Sequence, residues 1–392
     1  MTQSHSAGQR IVQTIRDSGL LWTASLVLDR LLPIGVLGWW RDRRIPAEIL
    51  TRQIGAILHA WGMSEEHAAI TVEHVLYADL HGIDSHGCAM LLHYRREFDA
   101  GVLTMTPAIA VVQETATTAL LDGGGGLGHV PAAMAMSLAI AKCRDAGVAA
   151  VGVKNSGHFG AAGAYASMAA EAGLLGFATT NTRVPAVVPT FATEARLGTN
   201  PIAFAASAAR NPPFLLDMAT STASLGTLTT AWRKGRSIPS GWALDDLGAP
   251  LTSARRGALG RRLTPLGSNR EMGSHKGYGL ATVMEILSSV LTGSRRAANG
   301  TPGGIGHFFL AVDPQRFRAG NEFAADLDVL VDSLRGCTRV DESQPVLVAG
   351  DPERAAFEER RRLGVPLSRS VVEDVRAIAR ACGAPFLLDG NA

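Results

Sequence analysis

Cysteine is scarce in this chain: four in 392 residues, at Cys88, Cys143, Cys337 and Cys382, with no C-x-x-C among them. That spacing provides neither a zinc-ligand set nor a disulfide framework, and it suits a reducing compartment, the cytoplasm. No His-x-x-x-His or Glu-x-x-His arrangement suggests a metal site, so none is expected. An excess of either charge is also missing. Charged residues make up 18% of the chain, and 37 basic residues oppose 35 acidic ones for a net +2, which removes the electrostatic case for nucleic acid. An uninterrupted membrane span is lacking too. Leu20 to Trp40 is strongly apolar, but Asp29-Arg30 sit in its middle and Pro33 breaks it. A charge at mid-bilayer costs about 2.5–3.5 kcal/mol on insertion scales, and no small-residue cleavage site follows. Residues 1–45 are therefore expected to be an appended helical segment that docks on the body or on a partner, with weak membrane association left open. There is no internal repeat.

What the chain does have is glycine, 43 residues of it, and a 46% hydrophobic content. Both suit a packed α/β enzyme, and the length implies two lobes or one elaborated domain. Pro46 opens a helix through about Trp61, and Ser64 caps the next, through about Leu80. Another helix follows from about Ala89 to Phe98. Residues 108–122 alternate like strands. Helices over 46–108 and 222–300 are expected to form one lobe, and 109–221 with 305–392 an α/β cofactor-binding lobe. Arg255 to Arg262 reads as a solvated basic insert.

Chemistry concentrates at the ends of apolar runs. Val148 to Val153 reads as a buried strand that delivers Asn155-Ser-Gly-His158 into a glycine-bounded turn. Gly173 to Thr180 ends in Thr180-Asn181-Thr182-Arg183, and Phe214-Leu-Leu-Asp217 ends at a carboxylate. Converging strand ends make a pocket in an open sheet. Residues 79–87 pack His81, His86, Asp79, Asp84 and Ser85 into nine positions, too polar for core. His275-Lys276-Gly277 opens a strong helix, and a lysine at a helix N-terminus suits an anion such as a phosphate. Gly123-Gly-Gly-Gly-Leu-Gly128 formally matches G-x-G-x-x-G. The acidic residue expected about 20 positions later is replaced by Lys154-Asn155, so a Rossmann reading is rejected.

Six motifs, in order, resemble the malate/L-lactate dehydrogenase-type oxidoreductases that lack a Rossmann fold. That family includes ureidoglycolate dehydrogenase, sulfolactate dehydrogenase and the piperideine-2-carboxylate reductases. The motifs are Asp84-Ser-His-Gly87, Asn155-Ser-Gly-His-Phe-Gly160, Leu197-Gly-Thr-Asn-Pro201, Leu216-Asp-Met-Ala-Thr-Ser221, Gly241-Trp-Ala-Leu-Asp245 and Lys276-Gly-Tyr-Gly-Leu280. The resemblance covers about 46–365. It implies an α/β fold with a mixed sheet, a homodimer, and hydride transfer between NAD or NADP and a small 2-hydroxy acid, its 2-keto acid or a cyclic imino acid. It also implies His158 or His86 as the acid–base group, the latter backed by Ser85 and Asp217, and Tyr94 in the substrate site. Cofactor contacts are implied for Thr180, Asn181, Thr182, Asp217, Met218, Ala219, His275, Lys276, Gly277, Gly350 and Asp351.

Three departures stand out. Met90 occupies the place where the family carries a carboxylate-binding arginine, and Arg183 is the candidate to replace it. Phe191-Ala192 replaces a glycine pair, and Ala349-Gly350-Asp351 replaces Pro-Gly-Glu. A catalytically degenerate member serving as a binding or assembly protein is the alternative. A Ser85/His/Asp217 hydrolase fits less well, because there is no G-x-S-x-G elbow.

Overall fold

The computed structural model describes residues 42–233, 235–294 and 304–389; the apolar segment 20–40 lies outside them. The described chain begins with β1 (Arg43–Ile45), α1 (Ala47–Ala60) and α2 (Glu65–Leu80). Ser64 accepts the His67 N–H at the start of α2, as a serine N-cap should. A 3-10 turn (Cys88–Met90) leads into α3 (Leu91–Asp99). Next come β2 (Ala110–Glu114), β3 (Thr118–Asp122), α4 (His129–Ala146), β4 (Val148–Ser156), α5 (Ala162–Glu171) and β5 (Leu175–Thr180). They are followed by β6 (Ile202–Ala206), β7 (Phe214–Met218), α6 (Leu225–Arg233), a two-residue pair β8 (Ala243–Leu244) and β9 (Pro250–Leu251), and α7 (Ala254–Gly260). The chain then forms α8 (Ser274–Glu285) with a π-turn extension (Ile286–Val290), β10 (Ile305–Val312), α9 (Glu322–Arg335), α10 (Asp351–Leu363), β11 (Val365–Leu367) and α11 (Arg369–Cys382).

Seven strands form one mixed sheet in the order β2-β3-β4-β10-β5-β6-β7. Only β3 and β4 run parallel as neighbours; the other pairs are antiparallel. This differs from the doubly wound parallel sheet of a Rossmann fold. The antiparallel steps through β10 and β6 leave β3, β4, β5 and β7 pointing the same way. Their carboxyl ends, at Asp122, Ser156, Thr180 and Met218, therefore share one edge with the start of β10.

Three hydrophobic clusters hold the molecule together, and they group the segments differently from the lobes read in the sequence. One joins α1, α2 and α3 to the C-terminal segment. There β1 pairs with β11, Arg43 opposite Leu367, and α11 buries Val371, Val372, Val375 and Ile378. Each such side chain contributes roughly 1.5–3 kcal/mol when fully buried. The end of the 305–392 segment thus belongs with the helices instead of the sheet. A second cluster sandwiches α4 and α5 on the sheet. The third is small, built on Val187, Leu228, Ile238 and Leu263, and separates 222–263 from α1–α3. The 255–262 insert is largely exposed, as expected, but it is ordered into a helix. It is mostly α7, capped by Ser253 and anchored through Ala254 and Gly257.

Candidate active site

Two histidines meet at the shared sheet edge. His158 follows β4, and His86 comes from the loop between α2 and α3; their rings stack with centroids 5.3 Å apart and planes 27° apart. Two glycines make this approach possible. A Cβ on Gly128 would lie 2.4 Å from the Gly157 carbonyl, so only glycine lets the loop before α4 press on the His158 turn and donate to the His158 carbonyl at 2.9 Å. A Cβ on Gly87 would lie 1.8 Å from Asp79 Oδ1. The buried Asp79 carboxylate accepts the Cys88 N–H at 2.8 Å and holds the His86 loop from beneath. Arg360 clasps the same loop, donating to the Asp79 carbonyl at 2.6 Å and pairing with Asp84.

Each imidazole is anchored through Nδ1. In His86, Nδ1 lies 2.8 Å from Ser85 Oγ. In His158, Nδ1 lies 2.8 Å from the hydroxyl of the fully buried Tyr94 and 3.3 Å from the Gly160 N–H. Neither Nε2 has a hydrogen-bond partner among the described residues. The two anchors differ chemically. A backbone N–H can only donate, so His158 Nδ1 is an acceptor, Tyr94 donates to it, and the ring proton sits on Nε2. The Ser85 hydroxyl can accept, so His86 can carry its proton on Nδ1 and leave Nε2 with a lone pair. Desolvation lowers both pKa values, to about 4 for His86 and well below the usual value for His158, where neighbouring histidines add to the effect. Both rings are neutral at pH 7.

His93 meets His158 edge-on at 6.5 Å, and one turn further along α3 stands Glu97, 3.6 Å from His93 Nε2. Glu97 also pairs with Arg183 at 3.4 Å. The candidate carboxylate anchor is thus one ion pair away from the histidine stack. Met90 is half-buried and packs on the helical cluster, so the 3-10 turn brings no charge here.

Asp217 does not complete a relay with Ser85 and His86. It sits on β7, at the opposite edge of the sheet from β2. Its carboxylate accepts the Gly163 N–H at 2.7 Å, and no hydrogen bond joins it to Ser85 or His86 among the described residues. Burial raises its pKa to about 6.

Of the residues expected to touch a cofactor, Thr180 and Asn181 are buried and bonded to the start of β10. Thr180 Oγ1 donates to carbonyls of Asn181 and Gly306, and Asn181 Oδ1 accepts the Gly306 N–H at 2.8 Å. Thr182 donates to the Val184 carbonyl, Met218 ends β7 and Ala219 follows it. His275, Lys276 and Gly277 fill the first turn of α8, with Lys276 exposed. Gly350 precedes α10. Asp351 opens it with its carboxylate already engaged by Arg335 at 2.7 Å and Arg354 at 2.6 Å. His93, Glu97 and His307 carry no motif that the sequence reading could seize. For His307 the only signal is a polar residue inside an apolar strand, which demands a partner without saying which.

The malate/L-lactate dehydrogenase family model matches residues 45–376. A malate dehydrogenase of Pyrococcus horikoshii is 38% identical over 346 residues, covering 87% of this chain and 96% of that protein. An L-sulfolactate dehydrogenase of Methanothermobacter thermautotrophicus is 36% identical over 344 residues, 86% of this chain and 96% of its own length. The crystal structure of malate dehydrogenase from Entamoeba histolytica superimposes with a TM-score of 0.84 at 30% identity, covering 88% of this chain and 99% of that one. A sheet without Rossmann topology, two motif histidines brought face to face and these likenesses agree: the chain belongs to the malate/L-lactate dehydrogenase family and is a dehydrogenase.

Proposed function

We propose that the protein transfers hydride between a nicotinamide dinucleotide, NAD or NADP, and a small 2-hydroxy acid, with His86 moving the hydroxyl proton and His158 holding the oxygen. The observation that carries this is the stacked pair of neutral imidazoles, each fixed through Nδ1 and open at Nε2. When bound, the nicotinamide supplies the hydride acceptor or donor. His86 Nε2, with its lone pair, takes the proton from the substrate hydroxyl while Ser85 accepts from Nδ1–H and steadies the tautomer. His158 donates from Nε2–H to the same oxygen, and Tyr94 fixes that donor's direction. Arg183, oriented by Glu97, is the anchor for the carboxylate in place of Met90.

The donor set at α8 suits a dinucleotide phosphate. Its N-cap is Gly273 with no side-chain cap, its first turn has no acidic residue, and Lys276 stands there exposed. Thr180 to Thr182 and Met218-Ala219, on the same sheet edge, would line the rest. Asp351 is saturated by arginines, which argues for a supporting role. The unit is a homodimer in this reading, because Leu280, Val283, Ile286 and Val290 form an exposed apolar stripe along α8 and its extension.

NADH or NADPH should raise the melting temperature, and a panel of 2-hydroxy and 2-keto acids, cyclic imines and neutral ketones followed by nicotinamide absorbance should yield a turned-over acid. Absence of both nucleotide stabilisation and turnover would leave the binding or assembly role standing. Met90→Arg in the same panel tests whether position 90 limits which acids are accepted.

A further inference from the structure

His307 lies outside the acid–base pair, yet it touches both sides of the site. It stands in β10 between β4 and β5 and is fully buried. Its Nδ1 is 2.8 Å from Thr180 Oγ1 at the end of β5, and its Nε2 is 2.9 Å from Ser156 Oγ at the end of β4. Its ring stacks on Phe159, the neighbour of His158, with centroids 4.6 Å apart and planes 11° apart. The proton positions follow. Thr180 gives its single proton to the Asn181 or Gly306 carbonyl, both 3.0 Å away, so it accepts from His307 Nδ1–H. Ser156 then donates to Nε2. A neutral imidazole satisfies all three groups, and burial keeps it neutral, with a pKa near 3.

We propose that His307 is a positioning residue for the transfer reaction: by bridging Thr180 and Ser156 and bracing Phe159, it sets the spacing between the cofactor-bearing end of β5 and His158. Ser156 is two residues before His158 and Thr180 opens the Thr180–Thr182 segment, so a shift at either hydroxyl moves a reacting partner. Misplacement of about 1 Å can cost on the order of a hundredfold in rate without removing any reacting group. This inference rests on the dehydrogenase reading above.

The test compares His307→Phe, which keeps a ring on Phe159 but loses both hydrogen bonds, with His307→Gln, whose amide can donate to one hydroxyl and accept from the other. Turnover, substrate KM and NADH affinity by fluorescence titration are measured on folded protein, with the melting temperature recorded in parallel. Phe should lower kcat at least about tenfold with substrate KM within about threefold, and Gln should restore kcat to within about threefold of wild type. The Ser156→Ala/Thr180→Val pair should reproduce the Phe defect, and adding His307→Phe to it should cost nothing more. Wild-type kcat in His307→Phe, a change in melting temperature alone, or Gln no better than Phe would overturn the proposal. A wild-type enzyme that neither binds NADH nor NADPH nor turns over any acid would instead overturn the dehydrogenase reading beneath it.

Discussion

Tyr94 is buried to the core yet ends in a hydroxyl on the His158 ring, so it leaves Nε2 as the open nitrogen of that histidine. That division of labour separates the two histidines experimentally. His86→Ala and His158→Ala should each lower kcat by at least about a hundredfold, as loss of a general acid–base or of a preorganised donor does. The amide-bearing variants should diverge. His158→Gln keeps an N–H for the substrate oxygen and should recover part of the rate, whereas His86→Gln has no proton-accepting nitrogen and should not. The pH profile follows from the direction of the shifts. In the proposed mechanism hydroxy-acid oxidation needs His86 neutral, so kcat/KM should stay level through neutral pH and fall only as pH drops toward about 4, well below the usual histidine value. A bound carboxylate raises that pKa, so the limb in kcat should lie above the limb in kcat/KM. A limb that persists unchanged in His86→Ala would assign the proton elsewhere.

At the scale of elements, the loops are as constrained as the strands. Gly87→Ala forces a methyl group into a buried carboxylate; it should destabilise the protein by about 1–3 kcal/mol, read by denaturant melts, and depress kcat further by shifting His86. Such constraints explain what could be read from the chain alone. α1 and α2 announce themselves by Pro46 and Ser64 at their starts, and the polar ends of β4, β5 and β7 by their position after apolar runs. Those ends do share one sheet edge. Asp217 was legible as a strand-end carboxylate but not as belonging to Gly163, since strand order decides that and strand order is non-local. The same limit hid His307, whose two partners lie 127 and 151 residues earlier. The pairing of β1 with β11 was equally invisible, and it is why α11 joins the first helices.

For the molecule as a whole, buried titratable groups make stability depend on acidity. His86, His129, His158 and His307 are all held below the ordinary histidine pKa by burial, so below about pH 6.5 the unfolded chain takes up protons that the native one refuses, and stability falls. Asp79 and Asp217, raised by burial to about 7 and about 6, act in the opposite sense over the same range. With His74, His81 and His93 lowered by burial as well, the histidines outnumber the two carboxyl groups, so melting temperature should drop between pH 6.5 and 4.5. Light scattering should give twice the chain mass if the apolar stripe of α8 is an interface, and Val283→Glu with Val290→Glu should shift it to the monomer.

β10 is the central strand of the sheet, yet it is made after every other strand of that sheet. On the ribosome, β4 and β5 emerge roughly 130–150 residues ahead of the strand that must lie between them, with their hydrogen-bonding edges waiting to be filled. A nascent chain stopped before residue 305 therefore carries His86, His158 and most of the motif residues, but has two open sheet edges where the finished enzyme has none. Contacts this distant in sequence slow folding and prolong the exposure of those edges. Premature termination or slow synthesis in the second half of the chain should accordingly produce aggregates, not a partly active enzyme.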